Sequence, residues 1–202
     1  MTLRIRQARP ADLGTICRLR LQRTAWLAAK GSEQWQRQHH GLPIDRFADA
    51  VAGSVAAGET WMVEVDGKSA GTITVNDRAD PGLWSAGELA DAVFVHYMIV
   101  DRRFAGHRVG RVLLAHAAAL ARSHHRTWVR LDAWTTNAEL HRYYRRGGFR
   151  LARIADPASS GPSAALFERR ADSWPPADHL LRAHRHAGCA DAVHCCGQTG
   201  GR

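Results

Sequence analysis

Cysteine is almost absent from the body of this chain. Of four cysteines, Cys189, Cys195 and Cys196 fall within the last fourteen residues, and only Cys17 lies elsewhere. A disulfide framework spread across the fold is therefore excluded, and Cys17 reads as a small apolar residue on the first helix. No apolar run approaches the roughly 20 residues that cross a bilayer. The opening MTLRIRQARPADL has no apolar core of a signal peptide. A cytoplasmic protein with no membrane partner is the expectation. No internal repeat appears either.

What is present is 202 residues with 45% hydrophobic content, enough for one domain with a sizeable core and too few for two. The net charge of +9 would by itself suggest a polyanionic partner. Its distribution argues otherwise. Residues 30–91 hold five Lys/Arg against ten Asp/Glu, whereas residues 1–29 hold six against one and residues 92–202 seventeen against eight. Nucleic acid is therefore not the expected partner.

The chain is organised around residues 94–149. Phe94 to Val100 is a run of β-branched and aromatic residues, as a buried strand requires. A basic turn follows, Asp101 to Arg108. Val109, Val112, Leu113, Ala117 and Leu120 then recur at the steps of a helix that buries one face. Trp128 to Trp134 is a second strand, and Asn137 opens a second helix that Gly147–Gly148 closes. Strand, glycine-containing basic turn, helix is a phosphate-handling order, because free N–H groups and the positive end of a helix dipole meet at one spot.

These residues resemble the GCN5-related N-acetyltransferase (GNAT) family. The family's strand triplet is matched by Met98-Ile99-Val100, and its glycine turn by Ala105-Gly106-His107-Arg108-Val109-Gly110. Ala105 and Arg108 depart from the family pattern there. Arg108 either takes a glycine-like conformation at about 1–2 kcal/mol of strain or sits in helical geometry with its guanidinium toward a phosphate. The family's later pattern is met by Asn137, Leu140, Tyr144, Gly148 and Phe149.

The resemblance implies an α+β fold (mixed α/β) with a central, mostly antiparallel sheet whose strands four and five splay apart, flanked by helices. It covers about residues 3–170, so the expected organisation is a domain over 1–172 and a flexible tail over 173–202. It also implies acetyl-CoA as co-substrate and direct transfer to an amine in a ternary complex. Met98, Ile99 and Val100 would hold the pantetheine. Arg103, Gly106, His107, Arg108, Val109, Gly110 and Arg111 would meet the diphosphate, and Asn137 would contact the cofactor. Tyr144 is the matched position for the general acid, while Tyr143 points about 100° away on the helix. Asp132 and His96 are both candidates for the general base. An unperturbed carboxylate of pKa about 3.9 is a poor base for an ammonium, so Asp132 would need burial or a water relay.

The acceptor side is expected in the acidic middle, with Trp26, Trp35 and Trp84 lining it, which suits a small-molecule amine acceptor of cationic character. An aminoglycoside-type antibiotic is one such molecule, with antibiotic resistance as the corresponding role. A protein or peptide amine is an alternative acceptor, and a non-catalytic module contacting RNA is an alternative of another class. A homodimer is left open.

Elsewhere, Leu3 to Ala8 alternates as a strand, Pro10 suits a first helical position, and Ile44, Phe47, Val51 and Val55 form a second amphipathic helix. Asp66-Gly67 joins two alternating runs as a hairpin. Residues 76–91 read as a mobile rim loop, and 150–154 and 164–167 as strands. The tail holds His184, His186, Cys189, His194, Cys195 and Cys196 at spacings that fit no usual zinc module, so no metal is expected.

Overall fold

The computed structural model describes residues 1–32, 34–35, 43–156 and 161–174. Seven strands form one sheet in the order β1-β2-β3-β4-β5-β7-β6. The strands are β1 Leu3–Gln7, β2 Thr60–Val65, β3 Lys68–Asn76, β4 Ala92–Val100, β5 Trp128–Ala133, β6 Arg150–Ile154 and β7 Ala165–Arg170. Only the β4–β5 pair is parallel. The helices are α1 Leu13–Ala28, α2 Ile44–Ala56, α3 Ala86–Ala90, α4 Val109–Ser123 and α5 Ala138–Arg146.

The period of α4 decides what it covers. Val109, Val112, Leu113, Ala117 and Ala121 lie on its buried stripe, and the small alanines let it settle closely on Val93, Val95, Val129 and Leu131 of β4 and β5. The opposite face of the sheet carries α1 and α2, where Ile16, Leu19, Phe47 and Val51 pack on Met62 and Ile99. Cys17 is half-buried against this second core. The Asp66-Gly67 turn has positive φ at both residues, as a two-residue hairpin of matching twist requires.

Residues 76–91 depart from the mobile-rim expectation. Ser85 and Glu88 form a capping box that starts α3, and Leu83 and Trp84 are buried against Ala92, Phe94 and Leu166 as a third core. The S-x-x-E spacing at 85–88 is the sequence signal for this helix start. Behind that cover lies a buried ion pair. The Arg130 Nε donates to Glu168 Oε2 at 2.9 Å, Arg130 also donates to the Glu88 carbonyl, and Arg150 pairs with the same Glu168 carboxylate.

Of the residues assigned to the tail by sequence, Ser173 is exposed and Trp174 is packed. Trp174 is buried against Phe149, with the Arg169 guanidinium 3.8 Å from its ring centroid. The remaining tail, 175–202, with its histidines and cysteines, lies outside the described residues.

Candidate active site

The site begins with a strand that cannot stay paired. β4 and β5 match only over Ala92–Phe94 and Trp128–Arg130. Beyond them β4 bulges: His96 faces Thr74 and Ile99 faces Thr72, so Tyr97 and Met98 together oppose Ile73. Tyr97 takes φ +49° at this point. A bulge bends its strand and sharpens the local twist, which carries the end of β4 away from β5. Among the described residues, the β5-facing backbone of the rest of β4 is thereby left without a strand partner.

The turn at the end of β4 is built around Asp101. Its carboxylate accepts from the Arg103 backbone N–H at 2.9 Å and from the Arg103 guanidinium at 2.7 Å. The Arg103 hydrogen bond, ahead of the opposing effect of burial, holds the Asp101 carboxyl below the usual carboxylate range. Gly106 has φ +84° and Arg108 φ +58°, so the left-handed alternative for Arg108 is the one adopted. The first helical bond of α4 runs from Val112 N to Arg108 O at 3.1 Å. The N–H groups of Arg108 to Arg111 therefore have no helical acceptor, and two left-handed residues curl them into a concavity of the kind that holds phosphate oxygens. The side chains of Val109 and Ile99 are buried in the cores, so these two positions offer the cleft only their backbone. Arg111 and His107 are exposed, and His107 Nδ1 lies 3.1 Å from the Ala105 carbonyl.

On the far side of the cleft, Asn137 caps α5, its Oδ1 accepting from Leu140 N at 3.0 Å. Its Nδ2 donates to Gln34 Oε1 at 2.9 Å, tying α5 to the segment after α1. Tyr144 is buried against Phe149, Phe167 and Tyr143. Burial, with smaller contributions from Tyr143 and Asp132, pushes its phenol above the ordinary tyrosine range. Asp132 is half-buried on β5, and desolvation raises its carboxyl above the usual range against the pull of His96. Among the described residues Asp132 has no ion-pair partner, while His96, Asp80, Tyr97 and Tyr144 all lie within electrostatic reach of it. The Nε2 of His96 lies 2.8 Å from the Arg78 carbonyl, so Nε2 is a donor there.

The three tryptophans do not come together. Trp84 is 1% exposed in the third core, where Phe94 and the guanidinium groups of Arg130 and Arg153 surround it, so it offers no surface to an acceptor. The Arg102 guanidinium lies 4.4 Å from the Trp26 ring centroid, with Arg23 and Lys30 also near it. Trp35, at φ +69°, is covered by Arg20 at 3.9 Å, and burial pushes the Arg20 guanidinium down to about 10. Part of the acidic middle is likewise committed: Glu59 pairs with Arg78, Glu64 with Arg6 and Glu88 with Arg153. Sequence reasoning missed Tyr97 and the Gln34 contact. The Tyr97 bulge has no signal in FVHYMIV, where no glycine marks it.

A splayed β4–β5 pair, a bulged β4 and an amide-lined turn at the α4 start define an acyl-CoA-handling fold. The model of the acetyltransferase (GNAT) family matches residues 20–149, and the chain belongs to that family. An N-acetyltransferase of Bacillus subtilis named YesJ, itself uncharacterized, is 28% identical over 141 residues, covering 68% of this chain and 76% of the relative. A GNAT acetyltransferase structure from Listeria monocytogenes superposes with a TM-score of 0.67 at 23% identity, over 83% of this chain and 94% of that one. YncA from Salmonella typhimurium, solved with acetyl-CoA, superposes at 0.59 with 16% identity, over 88% and 99%. The chain is thus an acetyl-CoA-dependent N-acetyltransferase, and the reading as a non-catalytic RNA-binding module is set aside. No helix among the described residues is long and apolar enough to cross a membrane, and none of their His, Cys, Asp and Glu residues cluster as metal ligands.

Proposed function

We propose that the acceptor is the primary amine of a small cationic molecule, an aminoglycoside-type antibiotic being one member of that class, acetylated by direct transfer in a ternary complex. The observation that carries this reading is Asp132, a desolvated carboxylate in the cleft wall with no ion-pair partner among the described residues. An ammonium supplies the countercharge that burial makes costly to lack. Asp80, also near Asp132, adds to the same field. Glu59, Glu64 and Glu88 are spent on ion pairs and add less to that field.

Acetyl-CoA supplies an acetyl group activated as a thioester. The amides of Arg108 to Arg111, with the exposed guanidinium of Arg111, suit its diphosphate, and the unpaired edge of β4 at Met98 to Val100 suits its pantetheine. Asp132 accepts the acceptor's proton, its raised carboxyl narrowing the gap to an ammonium of pKa about 10. His96 Nδ1 is the second basic atom in reach. Tyr144 stays neutral because burial holds its proton, and it donates a hydrogen bond to the departing sulfur.

The test is thiol release from acetyl-CoA with an aminoglycoside, an aliphatic diamine and a peptide with a free N-terminus as acceptors. Turnover of the polycationic small molecules, lost in Asp132→Asn and reduced about 10²–10⁴-fold in kcat by Tyr144→Phe, is the expected result. Turnover of the peptide alone overturns the acceptor assignment, and full activity of Asp132→Asn overturns its role.

A further inference from the structure

A glycine in the first turn of α4 marks a second tyrosine. A Cβ built on Gly110 would lie 2.1 Å from the Tyr143 hydroxyl oxygen, 3.2 Å from Tyr143 Cζ and 3.7 Å from Val100 Cγ2. The start of α4, the end of β4 and α5 therefore meet at one point, across the cleft that the β4–β5 splay opens. Tyr143 as a residue is 37% exposed, yet its hydroxyl end is turned inward against Gly110. Burial pushes this phenol up to about 12, with Arg111 opposing. It therefore stays protonated across the physiological range, as a donor. Among the described residues that donor makes no hydrogen bond; its neighbours are a glycine Cα, the edge of the Tyr144 ring and the charge of Arg111.

An unspent O–H placed beside the free N–H groups of Arg108 to Arg111 is complementary to one kind of group, a phosphate oxygen. A phenylalanine would pack the same ring against Tyr144 and would remove the 2.1 Å approach, leaving only that of Cζ at 3.2 Å. We propose that Tyr143 is a second cofactor-anchoring tyrosine: its hydroxyl hydrogen-bonds the diphosphate of acetyl-CoA at Gly110 and ties α5 to the α4 start. Tyr144 serves the sulfur and Tyr143 the diphosphate, two jobs for adjacent residues about 100° apart on one helix. This inference rests on the diphosphate lying in the turn at 106–111.

The test uses two acyl donors, acetyl-CoA and acetyl-pantetheine, which lacks the diphosphate. Tyr143→Phe raises the acetyl-CoA Kd by calorimetry, and its KM, about tenfold, the loss of one hydrogen bond to a charged group. Its kcat at saturation and its KM for acetyl-pantetheine stay within twofold of wild type. Gly110→Ala weakens acetyl-CoA in the wild-type background and much less in Tyr143→Phe, because the clash is with the hydroxyl. Unchanged acetyl-CoA affinity in Tyr143→Phe, or an equal loss for both donors, overturns the assignment. Absence of acetyl-CoA binding in the wild type would instead overturn the cofactor site itself.

Discussion

The side-chain amide of Asn137 works in two directions at once: its Oδ1 caps α5 on Leu140 N at 3.0 Å, and its Nδ2 reaches Gln34 Oε1 at 2.9 Å. Gln34 is 6% exposed. One residue thus fixes both where α5 starts and where the segment after α1 lies.

Asn137→Ala removes the cap and leaves a buried amide of Gln34 unsatisfied, at about 1 kcal/mol for the cap and about 1–3 kcal/mol for the orphaned group. Asn137→Asp keeps the capping oxygen and loses only the donor. Urea unfolding should place Asn137→Asp between the wild type and Asn137→Ala. Equal losses in the two variants would show that the Gln34 contact contributes nothing.

Asp132 is expected to trade stability for function. Its folded carboxyl is raised by burial, so the folded state holds the proton more tightly than the unfolded one. Stability is then greatest below the unfolded value of about 4 and falls as pH rises through the folded value. Asp132→Asn, isosteric and neutral, should melt higher than the wild type at pH 7.5 while losing acetyl transfer. The difference in melting temperature should vanish near pH 3. A variant that melts lower at pH 7.5 would contradict the desolvated carboxylate.

Glu88 titrates with the opposite sign. Its hydrogen bond with Arg153, helped by the Ser85 bonds and opposed by burial, brings its carboxyl down to about 2. The stability it adds is present above the unfolded value of about 4.3 and is lost as pH falls toward 2. Arg153→Met should flatten the acid limb of the stability curve between pH 5 and 2. An unchanged limb would show that the pair contributes nothing to folding.

The Arg130–Glu168 pair is buried, so removing one partner strands the other. Glu168→Ala should cost about 3–5 kcal/mol in chemical denaturation. Arg150→Ala removes the exposed partner of the same carboxylate and should cost less than about 1 kcal/mol. Similar losses for both would mean that Arg150 carries more of the pairing than its exposure suggests.

Arg108 is strained in its left-handed conformation, so Arg108→Gly should gain up to about 1 kcal/mol in stability. Arg108→Val, β-branched at positive φ, should lose stability in the same assay. Reversal of that order would remove the strain argument.

Much of this molecule is local, and the sequence alone determined it. The period of Val109 to Leu120 set the face α4 buries, Asn137 announced α5, and Asp66-Gly67 closed its hairpin, because each depends on neighbours within a few positions along the chain. The spacing of Gly106, Asn137, Tyr144 and Gly148-Phe149 was enough to point to the family, and Asp132 and His96 were legible as cleft candidates. What only the tertiary structure decided depends on residues distant in sequence. The Tyr97 bulge arises from β4's register against β3, and no residue in the run encodes it visibly. Trp84 looked like an acceptor-pocket ring because aromatic character says nothing about which face a loop will press down. The acidic middle looked open because a formal charge count cannot know that Glu59, Glu64 and Glu88 will meet arginines. Gly110 read as one more glycine of the turn, and only folding brought the Tyr143 hydroxyl into the space its missing side chain leaves.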